Sequence, residues 1–140
     1  MLSERIVLDT NCLIMSLSAH NQYAEIWQKF VNGEYTLCVS NEILEEYEEV
    51  IARNISPKAA RIVLSYMQIL TNVTFIDPHY SFGLIHADED DNKFVDCAIA
   101  SNAIFIVTED KHYNELANIP FPKVEVIGID DFIKYLRHRA

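Results

Sequence analysis

Apolar residues along this chain fall into short blocks of two alternating kinds. Segments of four or five residues, RIVLD at 5–9, YTLCV at 35–39, VTFI at 73–76, IFIV at 104–107 and KVEVI at 123–127, read as strands. The run at 104–107 is β-branched at three positions, as suits a strand covered on both faces. Between the strands the apolar positions recur at helical spacing. Tyr23, Ile26, Trp27 and Phe30 form one stripe within a helix expected from Gln22 to Val31, preceded by a shorter helical piece at Leu13 to Leu17. The stripe reads as core or dimer surface, and Asn32-Gly33 closes its helix. Ser40 or Asn41 caps a helix over Glu42 to Arg53 with Ile43, Leu44, Tyr47, Val50 and Ile51 on its apolar face. Ser56-Pro57 opens another, reaching about Leu70. Further helical stretches are expected at Phe94 to Ala100, at Lys111 to Asn118, and from Asp130-Asp131 to the basic C-terminal segment. Alternation of this kind predicts an α/β fold: a three-layer α/β/α sandwich around a mainly parallel sheet of about five strands.

Composition narrows the picture. With 140 residues, 50% of them hydrophobic, and few glycines or prolines, residues 1–140 are expected to form a single domain. Cys12, Cys38 and Cys97 are odd in number, widely spaced and set among apolar residues, against a disulfide framework or a paired-cysteine metal site. A reducing cytoplasm is therefore expected, and no apolar run approaches a membrane span. The net charge of −10 has the wrong sign for binding nucleic acid by bulk electrostatics. A polyanionic partner would need bound divalent metal or the basic cluster Lys134, Arg137, His138 and Arg139.

The chemistry lies in the acids. Asp9 and Asp110 each sit at or just beyond a strand end, and in open parallel sheets that edge is where ligands bind. An N-cap role for Asp9 is the alternative, and Asn11 is placed either to orient a carboxylate or to cap. Five glutamates share the 42–53 helix, and Glu46, three residues after Ile43 and four before Val50, borders its apolar face. Asp96 interrupts the apolar run 94–100, where an unpaired carboxylate is costly. Asp88, Asp90 and Asp91 lie close enough in sequence to compete with it. His79 and His86 lack metal-binding spacing. No glycine-rich phosphate loop or nucleophile elbow is present. Acids gathered at one rim are commonly relieved by hard cations such as Mg²⁺ or Mn²⁺, which suit phosphodiester hydrolysis.

Three landmarks then carry a resemblance. They are Asp9-Thr10-Asn11 after the first strand, Ser40 with Glu46 six residues on, and Asp88-x-x-Asp91-x-x-Phe94-x-x-x-Ala98 continuing to Val107-Thr108-Glu109-Asp110. Over essentially its whole length the chain resembles a PIN domain of the group related to VapC-like ribonuclease toxins. The resemblance implies a Mg²⁺- or Mn²⁺-dependent ribonuclease cleaving single-stranded RNA to leave a 5′ phosphate and a 3′ hydroxyl. By position, its metal-binding catalytic quartet would be Asp9, Glu46, Asp96 and Asp110. Asn11 and Thr108 would support them by hydrogen bonding, and Asp88 or Asp91 would cap a helix or join the outer metal shell. A small antitoxin inserting a basic side chain among the acids is the implied partner, with a homodimer the expected assembly. The competing class is an inactive PIN-like module that binds RNA or protein. A phosphoaspartyl enzyme fits less well, because Asp9 has no second acid two residues later.

Overall fold

The computed structural model describes residues 4–78, 81–85, 89–120 and 122–139, so His79, His86 and Asp88 lie outside the described residues. Five strands form a single parallel sheet: β1 (Arg5–Leu8), β2 (Thr36–Val39), β3 (Val73–Phe75), β4 (Phe105–Val107) and β5 (Val126–Ile127), in the order β3-β2-β1-β4-β5. Ile6, Val7, Leu8, Leu37, Cys38, Val39, Ile106 and Val107 are essentially inaccessible to solvent, as strands covered on both faces require. The helices are α1 (Thr10–Ser16), α2 (Ala24–Val31), α3 (Asn41–Asn54), α4 (Pro57–Ile69), α5 (Asn92–Ser101) and α6 (Ile129–His138). The fold is the expected α/β sandwich.

Strand order positions the site. From β1 the chain moves outward to β2 and β3, then crosses back to β4 on the other side of β1 and continues to β5. Right-handed crossovers send the connections after β1 and after β4 to opposite faces, opening a crevice at the carboxyl ends of these two neighbours. Their tips are in step, with Leu8 opposite Val107 and the Asp9 N–H donating to the Val107 carbonyl at 3.0 Å.

Local chemistry sets the boundaries. Ser40 accepts from the Ile43 N–H and Ser56 from the Ala59 N–H, so both serines cap the helices that follow them. Gly33 takes a positive φ of 79° after α2, and Asn102 ends α5 in the left-handed region at φ 56°. In α2, Ile26 and Phe30 are buried, while Tyr23 and Trp27 are half-buried and Trp27 meets the Tyr66 ring edge-on.

Two elements differ from expectation. The last strand is only Val126–Ile127, because its pairing is limited by the three-residue β4 and follows a proline-interrupted segment at Pro120 and Pro122. Lys111–Asn118 winds as a 3₁₀ helix, tightened at its start where Asp110 Oδ1 accepts from the His112 N–H.

The Tyr47 hydroxyl, buried on α3, donates to the Leu8 carbonyl at 2.6 Å and so pins the helix that carries Glu46 to the end of β1. Tyr47→Phe leaves that carbonyl unsatisfied and should lower unfolding free energy by about 1–2 kcal/mol. Urea denaturation reads the change, and an unaltered midpoint and slope would contradict this role.

Candidate metal centre

Acids reach the crevice from four elements. Asp9 occupies the N-cap position of α1 by backbone, yet its carboxylate makes no capping bond. Only 8% exposed, it accepts a 2.7 Å hydrogen bond from the Thr108 hydroxyl. That hydroxyl in turn accepts from the Asp110 N–H at 3.1 Å, linking the two strand tips. Glu46 reaches in from α3, where Thr10 donates its hydroxyl to Oε2 and the Lys93 ammonium lies 2.7 Å from Oε1. Asn11, one residue further along, is exposed. Glu109 is turned away, accepting from the Ile129 N–H at the start of α6 at 2.8 Å.

The fourth acid here is Asp91. It ends the 3₁₀ turn Glu89–Asp91 and precedes α5, again without a side-chain cap. Its Oδ2 lies 3.5 Å from His112 Nδ1, which is 3.1 Å from Asp110 Oδ1. One ligand atom each from Asp91, Asp110 and His112 falls within a 4.8 Å span. Carboxylate oxygens with one imidazole nitrogen are a donor set suited to a divalent cation.

The electrostatics mark the same place. Burial pushes the Asp9 carboxyl above the usual carboxylate range; the bonds from Thr108 and the Thr10 backbone pull it down, and the charges of Glu46 and Asp110 push it up. Burial raises the Tyr113 phenol, and the negative charges of Asp9, Asp91, Asp110 and Glu46 raise it further, so one buried ring senses all four acids.

Asp96 faces elsewhere. It is buried, accepts from the Phe82 N–H at 3.1 Å and is raised by burial and by the charge of Glu42. It lines a neighbouring cleft of about 620 Å³ with Ser40, Glu42, Asp77, Asp90 and Lys93. The structure therefore brings Asp9, Glu46 and Asp110 to one crevice with Asp91, and sets Asp96 beside it.

The PIN domain profile matches residues 5–112. The chain belongs to the PIN domain family. No curated protein sequence matches it significantly. Among solved structures it is similar to VapBC2 from Rickettsia felis bound to a DNA fragment from its promoter, with 17% identity, a TM-score of 0.59, and 89% of this chain and 98% of that chain covered. It is similar to DNA-bound VapBC from Salmonella typhimurium, with 18% identity, a TM-score of 0.58 and coverage of 92% and 99%. It is also similar to the PIN domain endonuclease Utp24, at 16% identity, a TM-score of 0.54 and coverage of 89% and 84%. At these identities the likeness is one of fold. Among the described residues, no helix of this PIN domain is long and apolar enough to cross a membrane.

Sequence reasoning passed over two residues in the crevice, His112 and Lys93. Position two after Asp110 was a usable signal for His112, since a side chain there folds back over a capping acid. For Lys93 the local signal was Asp90 three positions earlier, whereas its partner Glu46 is 47 positions away.

The raised Asp9 carboxyl has a consequence for stability. With its folded value above the ordinary 3.8, ionised Asp9 weakens the metal-free fold as pH rises through the window above 3.8. In EDTA, Asp9→Asn should therefore melt higher than wild type at pH 7, with the advantage fading below about pH 4. Thermal melts across pH check this, and a variant that melts lower at pH 7 would contradict it.

Proposed function

We propose that this PIN domain is a metal-dependent endoribonuclease that cleaves single-stranded RNA, and that it serves as the toxin of a toxin–antitoxin pair. The observation carrying the proposal is the convergence of Asp9, Glu46, Asp91 and Asp110 at the β1/β4 switch point, with His112 completing a donor set. Family membership and the likeness in fold to VapBC and Utp24 support the same reading.

Asp9, Glu46, Asp91 and Asp110 would hold the metal, with His112 at its flank. Bound Mg²⁺ or Mn²⁺ would supply positive charge against the scissile phosphate and a water of lowered pKa. The chain's own residues do the positioning. Thr108 fixes the Asp9 rotamer and, through the Asp110 backbone, the spacing of the two tips. Thr10 fixes Glu46 Oε2 facing the crevice, and the His112 backbone N–H donates to Asp110 Oδ1. Asp91 takes the third acidic position in this proposal in place of Asp96, whose carboxylate lines the neighbouring cleft and accepts from the Phe82 N–H.

The substrate proposed is single-stranded RNA, and the partners are a small antitoxin and a second copy of the chain. Exposed Ile62, Tyr66 and Ile69 on α4 offer apolar surface for such a contact. The second reading is a PIN-like binding module without activity, favoured by the ion pair between Lys93 and Glu46 that closes one flank of the crevice.

Incubating a mixed single-stranded RNA pool with Mg²⁺, Mn²⁺ or EDTA tests the proposal. Cleavage should require metal, fall more than about 100-fold in Asp9→Asn and Asp91→Asn, and stay within about tenfold of wild type in Asp96→Asn. Loss in Asp96→Asn with Asp91→Asn active would return the third position to Asp96. Metal binding without cleavage of any RNA would favour the binding module.

A further inference from the structure

We propose that Lys93 is a resident cation of the acid cluster, competing with divalent metal for Glu46, so that loading the site requires its ammonium to withdraw. The inference rests on the metal-dependent reading above and adds a built-in control of its occupancy.

Lys93 stands in the first turn of α5, and its side chain is only 11% exposed. Its Nζ lies 2.7 Å from Glu46 Oε1 on α3 and 2.9 Å from Asp90 Oδ1, distances of charge-assisted hydrogen bonds. Thr10 occupies Oε2 of the same glutamate, so both Glu46 oxygens are engaged. A metal ion at Oε1 would meet the ammonium's positive charge at hydrogen-bond range, so metal and lysine compete for this oxygen.

The surroundings explain why a cation is there. Glu42, Glu45, Glu46, Glu49 and Asp90 line one small cleft with Lys93. Without positive charge, these carboxylates repel across the α3–α5 junction. A lysine supplies that charge on a flexible four-carbon stem, its head held by Glu46 and Asp90, and can move aside where a rigid arginine fork could not easily do so. Lys93 also lines the larger neighbouring cleft, which gives the displaced ammonium somewhere to go.

Calorimetric titration of Mn²⁺ into the metal-free protein tests the idea. Lys93→Met and Lys93→Gln should bind Mn²⁺ at least about tenfold more tightly than wild type, because a competing charge has been removed from a partly buried site. Lys93→Gln retains a hydrogen-bond donor toward Glu46 and serves if the methionine variant folds poorly. Lys111→Met, which removes an exposed lysine beside Asp110, should change affinity less than about threefold. Metal-free Lys93→Met should melt below wild type, and Mn²⁺ should raise its Tm by more than it raises that of wild type. Equal or weaker Mn²⁺ binding in both Lys93 variants overturns the inference, as does an equal gain in Lys111→Met. If wild type binds Mn²⁺ and Asp9→Asn does not, while the Lys93 variants show no gain, only the Lys93 inference fails. Absence of Mn²⁺ binding in every form overturns both the inference and the metal-dependent reading.

Discussion

The Thr108 hydroxyl joins the tips of β1 and β4, donating to the Asp9 carboxylate and accepting from the Asp110 backbone. Through it the molecule holds two acids at one edge of its sheet against their mutual repulsion. The Asp9 carboxyl registers this strain: burial raises it most, and the charges of Glu46 and Asp110 raise it further. Such a cluster persists only where the scaffold over-determines it. The inaccessible strand residues of β1, β2 and β4 supply that rigidity, and Tyr47 carries it to α3 by bonding the last carbonyl of β1.

The three residues after β4 show how closely the chain divides its work. Thr108 reaches back to Asp9, Glu109 goes to the N-terminus of α6, and Asp110 turns into the crevice and starts the 3₁₀ helix. A segment bearing two adjacent acids thus contributes one to the site and one to the packing of the terminal helix. Local negative charge is placed where a cation or a helix N-terminus can use it.

Much of this was legible in the sequence. Short apolar runs and period-3.6 blocks located the five strands and six α-helices, and the strand-tip positions of Asp9 and Asp110 followed from the blocks themselves. Glu46 was legible from its helical phase. Asp96 drew attention because it interrupts an apolar run, and the structure agrees that it is buried. Burial alone, however, does not say which neighbour a carboxylate meets. Asp91 lies five residues earlier, about 140° away around the helix axis at about 100° per residue, so the two acids address different clefts. That difference becomes visible only when the 3₁₀ turn 89–91, the 82–85 segment and β4 are assembled around α5. The link from Lys93 to Glu46 was hidden for the same reason, because the two are distant in sequence.

The net charge of −10 takes on a different sense in this setting. For a protein proposed to act on RNA, the excess acid is an obstacle unless cations are brought to it, and the crevice gathers acids where those cations would do the most. The most direct measurement is an anomalous diffraction map from crystals soaked in Mn²⁺. The account predicts density bounded by Asp9, Glu46, Asp91 and Asp110, within reach of His112. Density beside Asp96 and Glu42 instead, or an empty crevice at saturating Mn²⁺, would contradict it.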